Sequence, residues 1–187
     1  VLEAGARHNL MVIAPAHHRR IAAGILSWGQ DIDAETLPFQ CNLSYQVPRK
    51  KQADYIGKRR LEEVRAEIEA GRTPFPNKMV GLRFGGWPVT DYAPDFWLVS
   101  RRDDPTPIGY VTSPWYSPEL ATNIALAWVP VEIAEIGTEL TVWLPDQYTI
   151  GQPGNAAEAE VAPVPFRRSV NPNAREVAKT RGLDYAD

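Results

Sequence analysis

The sequence predicts an α+β chain in which a helix-bearing first part leads into a small antiparallel β-barrel. Three observations point there. A single clear amphipathic helix falls before residue 75, and short apolar runs separated by turn residues follow it. The 17 prolines and 13 glycines among 187 residues are scattered between these runs rather than gathered in one tract. With 44% hydrophobic and 23% charged residues, the chain has the composition of an ordinary globular protein.

The elements can be justified in order. Leu2 to Leu10 is rich in helix formers and runs straight into the apolar Met11-Val12-Ile13-Ala14, so the chain opens in mid-structure. The expectation is a fragment or a separately encoded half. Ile21 to Trp28 is apolar but interrupted by Gly24, after which Asp31, Asp33 and Pro38 force an open loop. Arg59 to Ala70 predicts a helix: Leu61, Val64 and Ile68 share one face, Glu and Arg fill the other, and Gly71 supplies a left-handed stop. Thr73-Pro74-Phe75-Pro76-Asn77 cannot continue it, which sets a domain boundary between 74 and 75. Strands are expected at 79–84, 96–100, 108–112, 123–129, 139–144 and 161–166, with turns at Gly85-Gly86, Asp103-Asp104-Pro105 and Glu135-Ile136-Gly137. Such spacing suits a barrel or sandwich, and closing a barrel protects its strand edges. Residues 167–187 read as a polar surface tail with one short helix at 174–179.

Charge and composition exclude several classes. The formal net charge is −3 and the small basic cluster Arg49-Lys50-Lys51 reads as a solvated loop. Neither a nucleic-acid partner nor an anionic membrane surface is expected, and an oligonucleotide-binding barrel would need interleaved basic and aromatic residues that are missing. No apolar run approaches the roughly 20 residues that cross a bilayer. The lone Cys41 excludes an intrachain disulfide and points to a reducing, cytoplasmic setting.

Candidate chemistry gathers in Arg19 to Asp33, where two arginines, a tryptophan and two acids sit among glycines and apolar residues. Arg20 is open to two readings: a planar donor set for a carboxylate or ring-nitrogen ligand, or an ion pair with Asp31, Asp33 or Glu35. Trp28 is either a stacking wall for a flat ligand or a core tryptophan. Asp31 and Asp33 fit loop capping better than a catalytic carboxylate pair or a metal site. His8, His17 and His18 lack the spacing of a metal set, because adjacent histidines diverge in helix or strand. In Ile108 to Leu120, Gly109 permits close backbone approach, Thr112 and Ser113 can bond nearby main chain, and Pro114 and Pro118 predict a stiff loop with Trp115 and Tyr116 at its tip.

Read in fixed order, Arg19 to Asp33, then Asp54-Tyr55-Ile56-Gly57-Lys58, then Ile108 to Ser113 leading through Ser117-Pro118-Glu119-Leu120 to Asn123 to Val129, the chain resembles the second half of the glycine-cleavage T-protein family of folate-dependent aminomethyl and methyl transferases. The resemblance extends to about Phe166. It implies that residues 1–74 are the carboxy-terminal part of a folate-binding α+β domain and that 75–166 form the barrel. It also implies tetrahydrofolate as cofactor, with Arg20, Trp28 and Tyr45 binding it, and a small N-, O- or S-methyl donor. The family's key aspartate lies in an amino-terminal half, so a missing half or a partner chain is expected. Ala22 and Gln40 stand where the family commonly has glutamates. That pattern is similar to the branch of dimethylsulfoniopropionate demethylase and O-demethylases, with a non-catalytic folate-binding or interaction module as the alternative.

Overall fold

The structure, a computed structural model, describes residues 1–12, 16–93, 95–151 and 154–166. The expected tail at 167–187 and its helix at 174–179 lie outside the described residues. Three helices come first: α1 (Leu2–Ala6), α2 (His17–Ala22) and α3 (Lys58–Glu69). Six strands follow: β1 (Asn77–Phe84), β2 (Trp97–Arg101), β3 (Asp104–Ser117), β4 (Thr122–Pro130), β5 (Glu139–Trp143) and β6 (Ala156–Ala162). They close into an antiparallel barrel in the order β1-β4-β3-β2-β5-β6, with β6 returning to β1.

Alternation along the strands feeds two cores. Val80, Leu82 and Phe84 of β1, Val99 of β2, Val111 of β3, Ala125, Ala127 and Val129 of β4 and Val142 of β5 belong to the core around Trp97. The other face of β4 sends Ile124, Leu126 and Trp128 into a second core with Met79, Ala162 and Phe166, which Ile21 and Ala22 of α2 and Cys41 cover. A strand buried on both faces reads as an unbroken apolar run, and Ile124 to Val129 is one. Gly81 belongs to the same design: a Cβ there would meet Phe166 and Val164 at 2.7 Å. At the end of the barrel the buried Asn123 side chain accepts from the Val89 amide at 3.0 Å and donates to the carbonyls of Gly85 and Trp87, fixing the turn after β1.

The helix expected at 59–70 is α3, and Gly71, at φ +76°, provides the left-handed stop. Two expectations are corrected. The last strand is Ala156–Ala162, not 161–166: its Ala-Glu alternation buries Ala157 and Ala159 and exposes Glu158 and Glu160, a pattern hidden by two residue types with little strand preference. The segment around Trp115 and Tyr116 is not a loop but the end of the 14-residue β3, where Trp115 pairs with Ile124 and Tyr116 with Asn123. Pro105, Pro107 and Pro114 lie within this strand, and Pro107 falls where the register against β2 shifts, the kind of irregularity that accommodates a missing N–H.

Candidate functional site

A polar network is built where the segment before the barrel meets β3, and Asp31 is its centre. This carboxylate is 2% exposed. Its Oδ2 accepts from the Arg20 guanidinium at 2.8 Å and from the Ser27 amide at 2.7 Å, while its Oδ1 accepts from the hydroxyls of Thr112 and Ser113, each at 2.5 Å. Its main-chain oxygen accepts from Trp128 Nε1 at 2.9 Å. A buried carboxylate is tolerated when an opposite charge and several donors replace its hydration, and here all of them are present.

The barrel supplies two of those donors through a local irregularity. Val111 pairs with Ala127 and Ser113 with Leu126, so Thr112 is the extra residue of a bulge. Neighbours in a regular strand point to opposite faces; the bulge turns Thr112 and Ser113 toward one carboxylate oxygen. The carbonyl of Thr112 accepts from the Gln30 side chain at 2.7 Å. Ser113 also accepts from Arg20 Nη2 at 2.7 Å, which closes a ring of Arg20, Asp31 and Ser113.

Arg20 is presented by α2 and is held on several sides. Besides Asp31 and Ser113 it donates to the Ile25 carbonyl at 3.2 Å and, through Nε, to His17 Nδ1 at 3.4 Å. Those bonds use four of a guanidinium's five N–H groups, and the side chain is 18% exposed. His17 stacks on Trp115, with ring centroids 5.1 Å apart, and meets Tyr92 edge-on at 4.5 Å. Burial, and secondarily the Arg20 charge, lowers the pKa of His17 below the ordinary histidine value.

Among the residues singled out from sequence, the structure joins Arg20 and Asp31 in an ion pair at 2.8 Å. The Trp28 indole is 70% exposed and Tyr45 is 41% exposed. Asp33 caps its own loop, accepting from the Thr36 hydroxyl and the Glu35 amide, and these bonds, the first foremost, hold its carboxyl below the usual range. Asp31 does more than cap: it takes the Ser27 amide locally and ties the loop to the barrel. Beside the network lies an open hollow of about 330 Å³, lined by Gln30, Asp33, Glu35, Phe96, Tyr110 and Trp128 among others. Phe96 and Tyr110 stack there at 5.2 Å. Among the described residues, no group of three or more His, Cys, Asp or Glu side chains is placed to hold a metal ion.

Gln30 and Trp128 escaped the reading of the site from sequence, and Thr112 and Ser113, expected to bond nearby main chain, bond the distant Asp31 carboxylate instead. The available signal was a Thr-Ser pair inside an otherwise apolar strand, where adjacent polar residues require a shared partner. The four bonds of Arg20 leave one guanidinium N–H, a donor of the kind that a carbonyl or ring nitrogen of a reduced pteridine accepts from.

Comparison with known proteins gives a consistent result. Residues 77–166 match the family model described as the glycine cleavage T-protein C-terminal barrel domain. An aminomethyltransferase of Synechococcus sp. (strain CC9902) is 36% identical over 124 residues, which is 66% of this chain and 31% of that protein. An aminomethyltransferase of Listeria monocytogenes serotype 4a (strain HCC23) is 33% identical over 149 residues, 79% of this chain and 35% of that one. The crystal structure of the glycine cleavage system aminomethyltransferase T from Bartonella henselae aligns with a TM-score of 0.61 and 25% identity, covering 81% of this chain and 37% of its own. The matched part is thus about a third of the length of these relatives.

Proposed function

We propose that this chain, whose residues 77–166 match the glycine cleavage T-protein C-terminal barrel, forms one side of a tetrahydrofolate site and serves folate-dependent transfer of an aminomethyl or methyl group. The observation that carries the reading is Arg20: a guanidinium fixed at the seam by Asp31 and Ser113, in a segment that also exposes the Trp28 ring. Arg20 orients the cofactor through its remaining N–H, and Trp28 and Tyr45 furnish apolar walls. Bound tetrahydrofolate supplies N5, the atom that receives the one-carbon unit. The contribution of these residues is position and exclusion of water, which is what a transfer between two bound partners needs. The group that handles charge or protons at the donor, and the remaining walls, come from residues outside this chain, in an amino-terminal portion or a partner. The donor is a small N-, O- or S-methyl compound, with the demethylase branch the finer reading.

A second reading, a folate-binding or interaction module without turnover, is favoured by Ala22. The position where the family commonly carries glutamate is 3% exposed and packed in the second apolar core, and alanine offers no carboxylate there. Titration calorimetry of the protein in its native assembly with tetrahydrofolate, followed by methyl-transfer assays over a panel of N-, O- and S-methyl donors, decides between them. Saturable binding that Arg20→Ala weakens, with turnover on one donor, is the expected result. Binding without turnover on any donor selects the module, and absence of binding rejects both.

A further inference from the structure

We infer that Asp31 is the positioning residue for Arg20, and that the barrel, through the bulge at Thr112 and Ser113, sets the direction in which this arginine meets its ligand. The inference rests on the folate reading above and goes beyond it by giving the barrel strand a part in the site.

A free arginine side chain samples many rotamers, and each must be lost when it orients a ligand. In this chain that ordering is complete before any ligand arrives. Asp31 Oδ2 holds Nη1 at 2.8 Å, Ser113 Oγ holds Nη2 at 2.7 Å, and the Ile25 carbonyl takes another Nη1 hydrogen at 3.2 Å. Asp31 is itself fixed by Thr112, Ser113 and the Ser27 amide, and the loop behind it by Trp128. The direction of the guanidinium plane is therefore decided by β3 and β4, residues 93 positions away from Arg20 in the case of Ser113. Pre-ordering of this kind raises affinity by removing an entropic cost, not by adding a contact to the ligand. Asp31 touches the arginine and needs no contact with the ligand.

Four proteins test this: the full chain in its native assembly, its Asp31→Asn variant, the Arg20→Ala/Asp31→Asn double variant, and Arg20→Ala as the reference for that double variant. Ser113→Ala provides a milder perturbation should Asp31→Asn unfold, as monitored by circular dichroism. Nitrogen-15 NMR of the Arg20 side chain reports the clamp with no ligand present: separate, slowly exchanging Nη signals are expected in the parent and their collapse in Asp31→Asn. Calorimetry with tetrahydrofolate reports its use: Asp31→Asn weakens binding roughly tenfold, Ser113→Ala less, and Asp31→Asn adds no further loss once Arg20 is alanine. Unchanged affinity in Asp31→Asn overturns the inference, as does a loss of equal size in the Arg20→Ala background, which marks Asp31 as merely structural. Collapsed Arg20 signals in the parent overturn it too. A parent protein that binds no tetrahydrofolate, with the Arg20 signals slow, locates the failure in the folate reading instead and removes the inference with it.

Discussion

Thr112 and Ser113 are adjacent in β3, yet both hydroxyls donate to the same Asp31 oxygen. The bulge that permits this leaves Oδ1 dependent on two short side chains. Thr112→Val keeps the shape and removes one donor to a buried carboxylate, so a loss of about 1–3 kcal/mol in urea denaturation is expected. An unchanged midpoint would mean that water reaches Oδ1.

Gly109 faces β4 at a distance that no side chain tolerates: a Cβ there would lie 2.3 Å from the Trp128 carbonyl oxygen. Because the obstacle is backbone, it cannot rotate away. Gly109→Ala should destabilise the barrel by about 1–3 kcal/mol, lowering the melting temperature by several degrees. Gly137→Ala, where the added Cβ meets nothing within 4 Å but φ is +91°, separates conformational strain from steric clash.

His17 links stability to pH. Its Nδ1 accepts from Arg20, and Trp115 and Tyr92 pack against its ring, so the folded protein favours the neutral imidazole. Since its folded pKa is lowered, its contribution is fully present above about pH 6.5 and is lost as pH falls through the lowered value. Thermal midpoints should fall on acidification below that range, and His17→Gln should remove part of the slope. Identical slopes in the two proteins would detach His17 from the effect.

Trp97 packs between Phe84 and Tyr148 in the barrel core, and its buried Nε1 finds no hydrogen-bond partner among the described residues. Trp97→Phe deletes the unsatisfied donor but opens space beside Tyr148. These effects oppose each other, so the net change should stay below the about 3–5 kcal/mol typical of truncating a buried tryptophan to alanine. Equilibrium unfolding of Trp97→Phe and Trp97→Ala side by side measures the difference.

The barrel was legible in the sequence because β1, β2, β4 and β5 carry apolar runs bounded by turns, and α3 because Leu61, Val64 and Ile68 keep helical spacing before Gly71. The length of β3 was concealed by Pro105, Pro107 and Pro114, which punctuate loops in most contexts but sit in this strand without breaking it. β6 was concealed by alanine and glutamate, whose alternation matters only because the barrel interior leaves small spaces for Ala157 and Ala159. At the site, the sequence offered an ion pair of Arg20 with a nearby acid but not its orientation. The bulge that recruits Thr112 and Ser113 is a matter of register between β3 and β4, and a register is a property of two strands that neither states alone.

The separation of Arg20 from Ser113 also orders events in folding. Contacts between residues this far apart wait for the chain between them to condense, and the hydroxyls reach Asp31 only after β3 has paired with β4 in its shifted alignment. The ring of Arg20, Asp31 and Ser113 is accordingly expected to close late, onto a sheet already assembled. A chain halted before that step would display native-like strands while its arginine still swung freely.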